Sequence, residues 1–215
     1  MVHRIQCRIL ASVLASTLAV SPSILQAQQT TPVRVTLNPD KTSIRWALNT
    51  TLHTVHGTFR LKSGEFRIDP TTGAASGLIV VDASSGESGD SARDRRMHGD
   101  VLESGSFPEI TYRPSHVSGT VDLANEGDVT IDGTFRIHGA DHPLQLIVHL
   151  QPEGSATKLS TRFTIPYVAW GMKDPSRAFL HVDKQVALDL DATFTGSTPG
   201  PAKAILHPGE VHTAQ

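Results

Sequence analysis

From Val33 to Phe194 apolar and polar residues alternate with a period of two, in a succession of short runs. "DVTIDGTFRIH" sets Val129, Ile131, Gly133, Phe135 and Ile137 on one face and Thr130, Asp132, Thr134, Arg136 and His138 on the other. The same pattern puts Leu144, Leu146, Val148 and Leu150 together, then Leu159, Thr161, Phe163 and Ile165, then Val186, Leu188, Leu190, Ala192 and Phe194. Shorter runs at 33–37, 43–48, 53–61, 65–69, 77–83, 109–113 and 116–123 follow suit, with turn signals such as "NPDK", "DPTTG", "ANEGD", "HGADHP" and "PEGSA" between most of them. One apolar face per run predicts antiparallel strands with one side in water. Many short strands with short turns leave both a sandwich and a barrel open. Sequential hairpins favour an all-β, antiparallel up-and-down barrel, which also removes exposed edges.

One stretch breaks the alternation. "SARDRRMHGDVLESGSFPEITYRP" opens on Ser91 with Arg93, Asp94, Arg95 and Arg96 in a row, then turns apolar. Met97, Val101 and Leu102 share one helical face, and Ser91 is the expected N-cap. The spacing predicts a short helical insert around residues 91–103 that closes one end of the barrel. Phe107-Pro108 ends it and returns the chain to the strand "EITYR". Arg93 and Asp94 are expected to be structural, tying the helix to the barrel rim.

The termini have a different composition. Arg4 and Arg8 precede the apolar run "ILASVLASTLAV", which is too short to span a bilayer. "SILQA" then ends in Ala27, so residues 1–27 are expected to be a signal peptide with a periplasmic or secreted product. The sole cysteine, Cys7, lies within that segment, so disulfides are not expected to hold the remainder together. Removing two arginines and no acids takes the formal charge from −2 to −4, which argues against a nucleic-acid partner. No later run is long enough for a stable membrane span. The barrel domain is expected over 33–195 and a disordered C-terminal tail, rich in Gly, Pro and Ala, over 196–215.

Candidate chemistry is sparse. Ten histidines remain after residue 27, but His53 and His56 face opposite sides of a strand. His138 and His142 flank a turn, and His181 sits near Asp183, yet no metal motif is complete and no metal ligand is assigned. "SSGESGDS" lacks the nucleophile elbow G-x-S-x-G, and no Gly-rich loop stands between a strand and a helix. No catalytic residue is assigned.

The chain resembles the YceI-like family, periplasmic polyisoprenoid-binding proteins with a lipocalin-like barrel. Ser43 and Trp46 resemble the family's opening Ser-x-x-Phe, and Val55, Gly57 and Phe59 its Val-x-Gly-x-Phe. Arg93, Asp94 and Met97 resemble its charged helix, Phe107, Pro108, Ile110 and Tyr112 the strand after it, and Gly133, Phe135, Ile137, Gly139 and Pro143 its hairpin. The segment 167–182 departs from the pattern. The resemblance implies a carrier or storage protein holding an isoprenoid-type lipid, a polyisoprenoid or a quinone, inside the barrel, with no other cofactor and no enzyme activity. The candidate wall residues are Trp46, Leu48, Val55, Phe59, Phe66, Ile131, Phe135, Leu146 and Phe163, each equally readable as core packing. A homodimer stays open. The alternative is a metal-binding or hydrolytic protein on the same barrel.

Overall fold

The computed structural model describes residues 31–194 and the backbone of a strand at Ala204–Leu206. The expected signal peptide, and the expected disordered tail apart from Ala204–Leu206, lie outside the described residues. Eight strands form the body: β1 (Val33–Asn49), β2 (Thr54–Ile68), β3 (Ala75–Glu87), β4 (Glu109–Val121), β5 (Gly127–Ile137), β6 (Ala140–Glu153), β7 (Ala156–Ile165) and β8 (Val186–Phe194). Each pairs antiparallel with its neighbour in sequence, and β8 pairs with β1. The result is a closed up-and-down barrel, as the alternation and sequential turns predict. β9 (Ala204–Leu206) lies outside that circuit, paired with Gly119–Val121 of β4.

One predicted turn, and one break between predicted runs, prove to be irregularities within long strands. "NPDK" sits inside β1, where the seven residues between Thr36 and Ile44 oppose only five of β2, between Phe59 and Glu65. The Asn38 side chain accepts from the Asp40 N–H (2.9 Å) and its carbonyl from Thr42 Oγ1 (2.7 Å), so a local loop bulges out while pairing resumes on either side. The runs 53–61 and 65–69 likewise merge into β2 across a register shift near Ser63. "DPTTG" is a true turn, with Asp69 accepting from the N–H groups of Thr71 and Thr72.

An up-and-down path collects alternate connections at opposite ends. At one end are the turns after β2, β4 and β6. The barrel is filled there: Val33, Val35, Phe66, Ile68, Val129, Ile131, Val148, Leu150 and Phe194 are all buried, around a fully enclosed Val117. At the other end lie the β1–β2 and β5–β6 turns, the insert between β3 and β4, and the long β7–β8 connection.

The insert occupies nearly the predicted span but is not one continuous α-helix. Helix α1 spans Ser91–Arg96 and passes into a π-helical turn, Met97–Val101. Its N-cap is Asp90, whose carboxylate accepts from the Ala92 and Arg93 N–H groups at 2.9 and 3.0 Å; Ser91, the expected cap, is the first helical residue. Arg93 and Asp94 converge on Ser88, in the loop just beyond β3. Arg93 donates from Nε to Ser88 Oγ (2.7 Å) and from a terminal nitrogen to the Ser88 carbonyl (2.9 Å). Asp94 accepts from the Ser88 N–H (3.0 Å) and from its hydroxyl. His98 bridges the π-helical turn to the Gly86 carbonyl (2.8 Å) and to Ser104 Oγ (3.0 Å). Phe107 then docks on the β5–β6 turn, with its ring 4.5 Å from that of His138 and close against Gly139. Pro108 accepts the Ala83 N–H at 3.0 Å as β4 begins.

Candidate ligand-binding cavity

The loosely covered end of the barrel holds a cavity of about 490 Å³. Its wall is built from the inward positions of the upper strands. Trp46 and Leu48 contribute from β1, Val55 and Phe59 from β2, Phe135 from β5, Leu146 from β6 and Phe163 from β7. These seven of the nine sequence candidates line one space. Phe66 and Ile131 do not; they face a separate gap of about 30 Å³ in the filled end. Alternation assigns a residue to the inside but not to a height along the barrel, and these two lie too low.

Tyr112 and Gly133 mark the boundary between the two halves. Gly133 stands on β5 between Ile131 below and Phe135 above. A Cβ there would come within 2.6 Å of the Tyr112 ring, so the absent side chain lets the phenol cross the barrel. The Tyr112 hydroxyl donates towards the carbonyls of Ile131 (3.0 Å) and Leu144 (3.2 Å). Burial then holds its pKa far above the ordinary phenol value. The cavity floor is thereby a satisfied, neutral phenol. A second glycine, Gly57, leaves room for the Trp46 indole, whose carbons lie 2.3 Å from where a Cβ would be.

Two elements cover the top. Met97, Val101 and Leu102 of the insert reach the cavity with the helical spacing expected for one face. The β7–β8 connection supplies Tyr167, Met172, Leu180 and Val182, which the sequence candidates omit. Its aperiodic "YVAWGM" carried no strand signal; the concentration of large apolar residues in a connection was the available clue. The connection is tied down at several points. Tyr167 donates to the Asp183 carbonyl at 2.8 Å, and burial raises its pKa to about 12. Trp170 stacks on His142 (4.1 Å between centroids, 6° between planes) and packs on Phe135, which meets Phe163 edge-on. Thr50 and Val182 form a single antiparallel bridge.

Polar groups reaching the cavity are concentrated at its mouth, where His53, Asp90, Arg93 and Arg96 stand. Lower down, Thr161 donates its hydroxyl to the Ile147 carbonyl (2.7 Å) and so presents no free donor. The histidines do not assemble. His138 faces Phe107 and Glu103, His142 faces Trp170, and His149 lies on the outer surface between Asp128 and Glu126. Among the described residues no group of three His, Cys, Asp or Glu side chains is placed to hold a metal ion.

The family model for the YceI-like domain matches residues 35–194, the whole barrel. The chain belongs to the YceI-like family. Curated relatives of this YceI-like chain include a UPF0312 protein of Shewanella sp. (strain ANA-3), 33% identical over 102 residues, which are 46% of this chain and 51% of that protein. A UPF0312 protein of Vibrio cholerae is 30% identical over 92 residues, 42% of this chain and 47% of that one. The matched segment thus spans about half the length of these relatives. Among solved structures, BcnA of Burkholderia cenocepacia superposes with a TM-score of 0.60 at 17% identity, over 73% of this chain and 98% of that chain. A polyisoprenoid binding domain from Saccharophagus degradans, implicated in plant cell wall breakdown, gives 0.61 at 16% identity, over 76% and 98%. At such identities the likeness shows the fold, a YceI-like barrel.

Proposed function

We propose that this YceI-like protein is a periplasmic or secreted carrier or storage protein that holds the tail of an isoprenoid-type lipid, a polyisoprenoid or a quinone, in the upper half of the barrel. The observation that supports it is the cavity: about 490 Å³, lined mainly by apolar side chains above Tyr112, and open at one end. Its size falls within the range of small-molecule pockets, about 300–1,000 Å³. An eight-stranded barrel is just wide enough either to be filled by side chains or to hold one small ligand. Here the two outcomes occupy opposite halves. A hydrocarbon tail needs no hydrogen bonds from its host, so affinity would come from buried apolar area at roughly 25 cal/mol per Å². The polar groups at the mouth suit a head group left near solvent. The name of the Saccharophagus domain agrees with an isoprenoid ligand. Binding of this kind requires no catalytic group and no further cofactor.

The test is organic extraction of protein purified from a native-like host, followed by mass spectrometry. An isoprenoid-tailed molecule released in near-equimolar amount is the expected result. Protein that releases none, and that then fails to bind any isoprenoid or quinone added to it, would remove the carrier reading.

A further inference from the structure

Phe179 is 97% exposed and Leu52 77%, the two most exposed large hydrophobic side chains among the described residues. Both sit at the tips of turns at the cavity mouth. Leu52 lies in the β1–β2 turn, which is closed by the Thr50 N–H donating to the His53 carbonyl (3.1 Å), and it also lines the cavity itself. Phe179 lies in a two-residue turn whose flanks, Arg177 and Leu180, exchange both backbone hydrogen bonds, at 2.9 and 3.0 Å. The two tips are fastened together: the Thr51 N–H donates to the His181 carbonyl (3.0 Å), and the His181 N–H to Thr51 Oγ1 (2.9 Å). Leu180, beside Phe179, turns inward to the cavity. Leu52 and Leu180 thus carry apolar surface from the inner wall to the rim on which Phe179 stands.

We propose that this rim is a membrane-docking surface, on which Phe179 and Leu52 enter the boundary between head groups and acyl chains and seat the cavity mouth against a lipid bilayer. The proposal rests on the carrier reading, because a water-insoluble tail is loaded or released where lipid is. Two exposed cations flank the mouth. Arg96 and Arg177 have no side-chain acceptor among the described residues. The nearby carboxylates are engaged elsewhere: Asp90, Asp94 and Asp174 accept from backbone N–H groups of their own loops, and Asp183 accepts from the Asn49 side chain at the end of β1. Arginines so placed extend to lipid phosphates while their stems lie along apolar surface. A second copy of the chain is a poorer occupant. An aromatic side chain buries at most about 250 Å², and Phe179 with Leu52 falls well short of the roughly 800 Å² per partner of a stable interface.

The experiment is flotation of the purified protein with vesicles of phosphatidylethanolamine and phosphatidylglycerol, comparing the parent with Phe179→Ser, Arg177→Gln and Ile147→Ser. Ile147 is exposed on β6 and serves as the control. Vesicle partitioning is expected to fall about tenfold in Phe179→Ser, the change implied by one lost buried aromatic side chain. It is expected to fall more modestly in Arg177→Gln and to stay at the parental value in Ile147→Ser. Titration with farnesol, which needs no vesicle, is expected to give equal cavity affinity in parent and Phe179→Ser. A parent that binds farnesol but does not float, or a Phe179→Ser variant that floats like the parent, overturns docking alone. Failure of the parent to bind farnesol or any longer isoprenoid overturns the carrier reading instead. A parental dimer in lipid-free solution that Phe179→Ser converts to monomer would assign the patch to self-association and also overturn the proposal.

Discussion

At Ser88 the backbone N–H and the hydroxyl both donate to Asp94, while the hydroxyl oxygen and the carbonyl accept from Arg93. One serine thus binds both members of the charged pair, and the pair works through it rather than through a direct ion pair. Asp94→Ala leaves two Ser88 donors without their acceptor and takes one of the two neighbouring negative charges, Asp94 and Asp90, from the half-buried Arg93. The expected destabilisation is on the order of 1–3 kcal/mol, read as a shift of the urea midpoint at unchanged slope. Ser88→Ala should reproduce much of the effect, whereas a solvated pair would leave both midpoints at the parental value. Arg93 and Asp94 stood out in the sequence because four charges interrupt an alternating pattern. Their shared partner did not, since nothing in the spacing distinguishes Ser88 from Ser84, Ser85 or Ser91.

Single strands could be read almost residue by residue, but their ends could not. A period of two survives a bulge, so the runs at 33–37 and 43–48 look like two strands although β1 carries both. Polar turn residues satisfy their own backbone in either case, as Asn38 does within a bulge and Asp69 within a turn. The insert had the opposite difficulty: its helical face was visible, while the π-helical turn and the His98 contact with Gly86 across to β3 were not. Asp90 rather than Ser91 caps it because the carboxylate reaches two amide N–H groups at once. Those bonds, from Arg93 first and Ala92 second, hold the Asp90 carboxyl below its ordinary range. A lowered folded-state pKa adds stability above the unfolded value of about 3.9, and that stability is lost as pH falls through the folded value. Asp90→Asn keeps an acceptor but does not titrate. The melting temperature of the parent, relative to Asp90→Asn, should therefore decline as pH is lowered from about 5 through the acid range. A difference that stays constant with pH would show that the cap charge contributes nothing to folding.

Over the whole molecule, one closed sheet encloses a packed core and a cavity, and the border between them runs through Tyr112 and Gly133. Below it, Ile131 packs among buried neighbours; above it, Val55 faces open space. Both residues are inward and β-branched, both were equal candidates in the sequence, and only their height separates them. Height is set by which end each turn falls on and what covers it, a property of the assembled barrel that no single strand records. Two matched substitutions read that border directly. Val55→Thr is nearly isosteric and places a hydroxyl on the cavity wall, so a hydrocarbon tail must desolvate it. Affinity for an isoprenoid-tailed fluorescent probe should weaken by about 1–3 kcal/mol, with little change in urea midpoint. Ile131→Thr removes a methylene and buries a hydroxyl in packed core, so it should cost stability by about 1–3 kcal/mol and leave probe affinity at the parental value. If Ile131→Thr weakened binding as much as Val55→Thr, the tail would have to pass Tyr112 into the lower half. The phenol would then be a gate rather than a floor, and the ligand would run longer than the upper cavity.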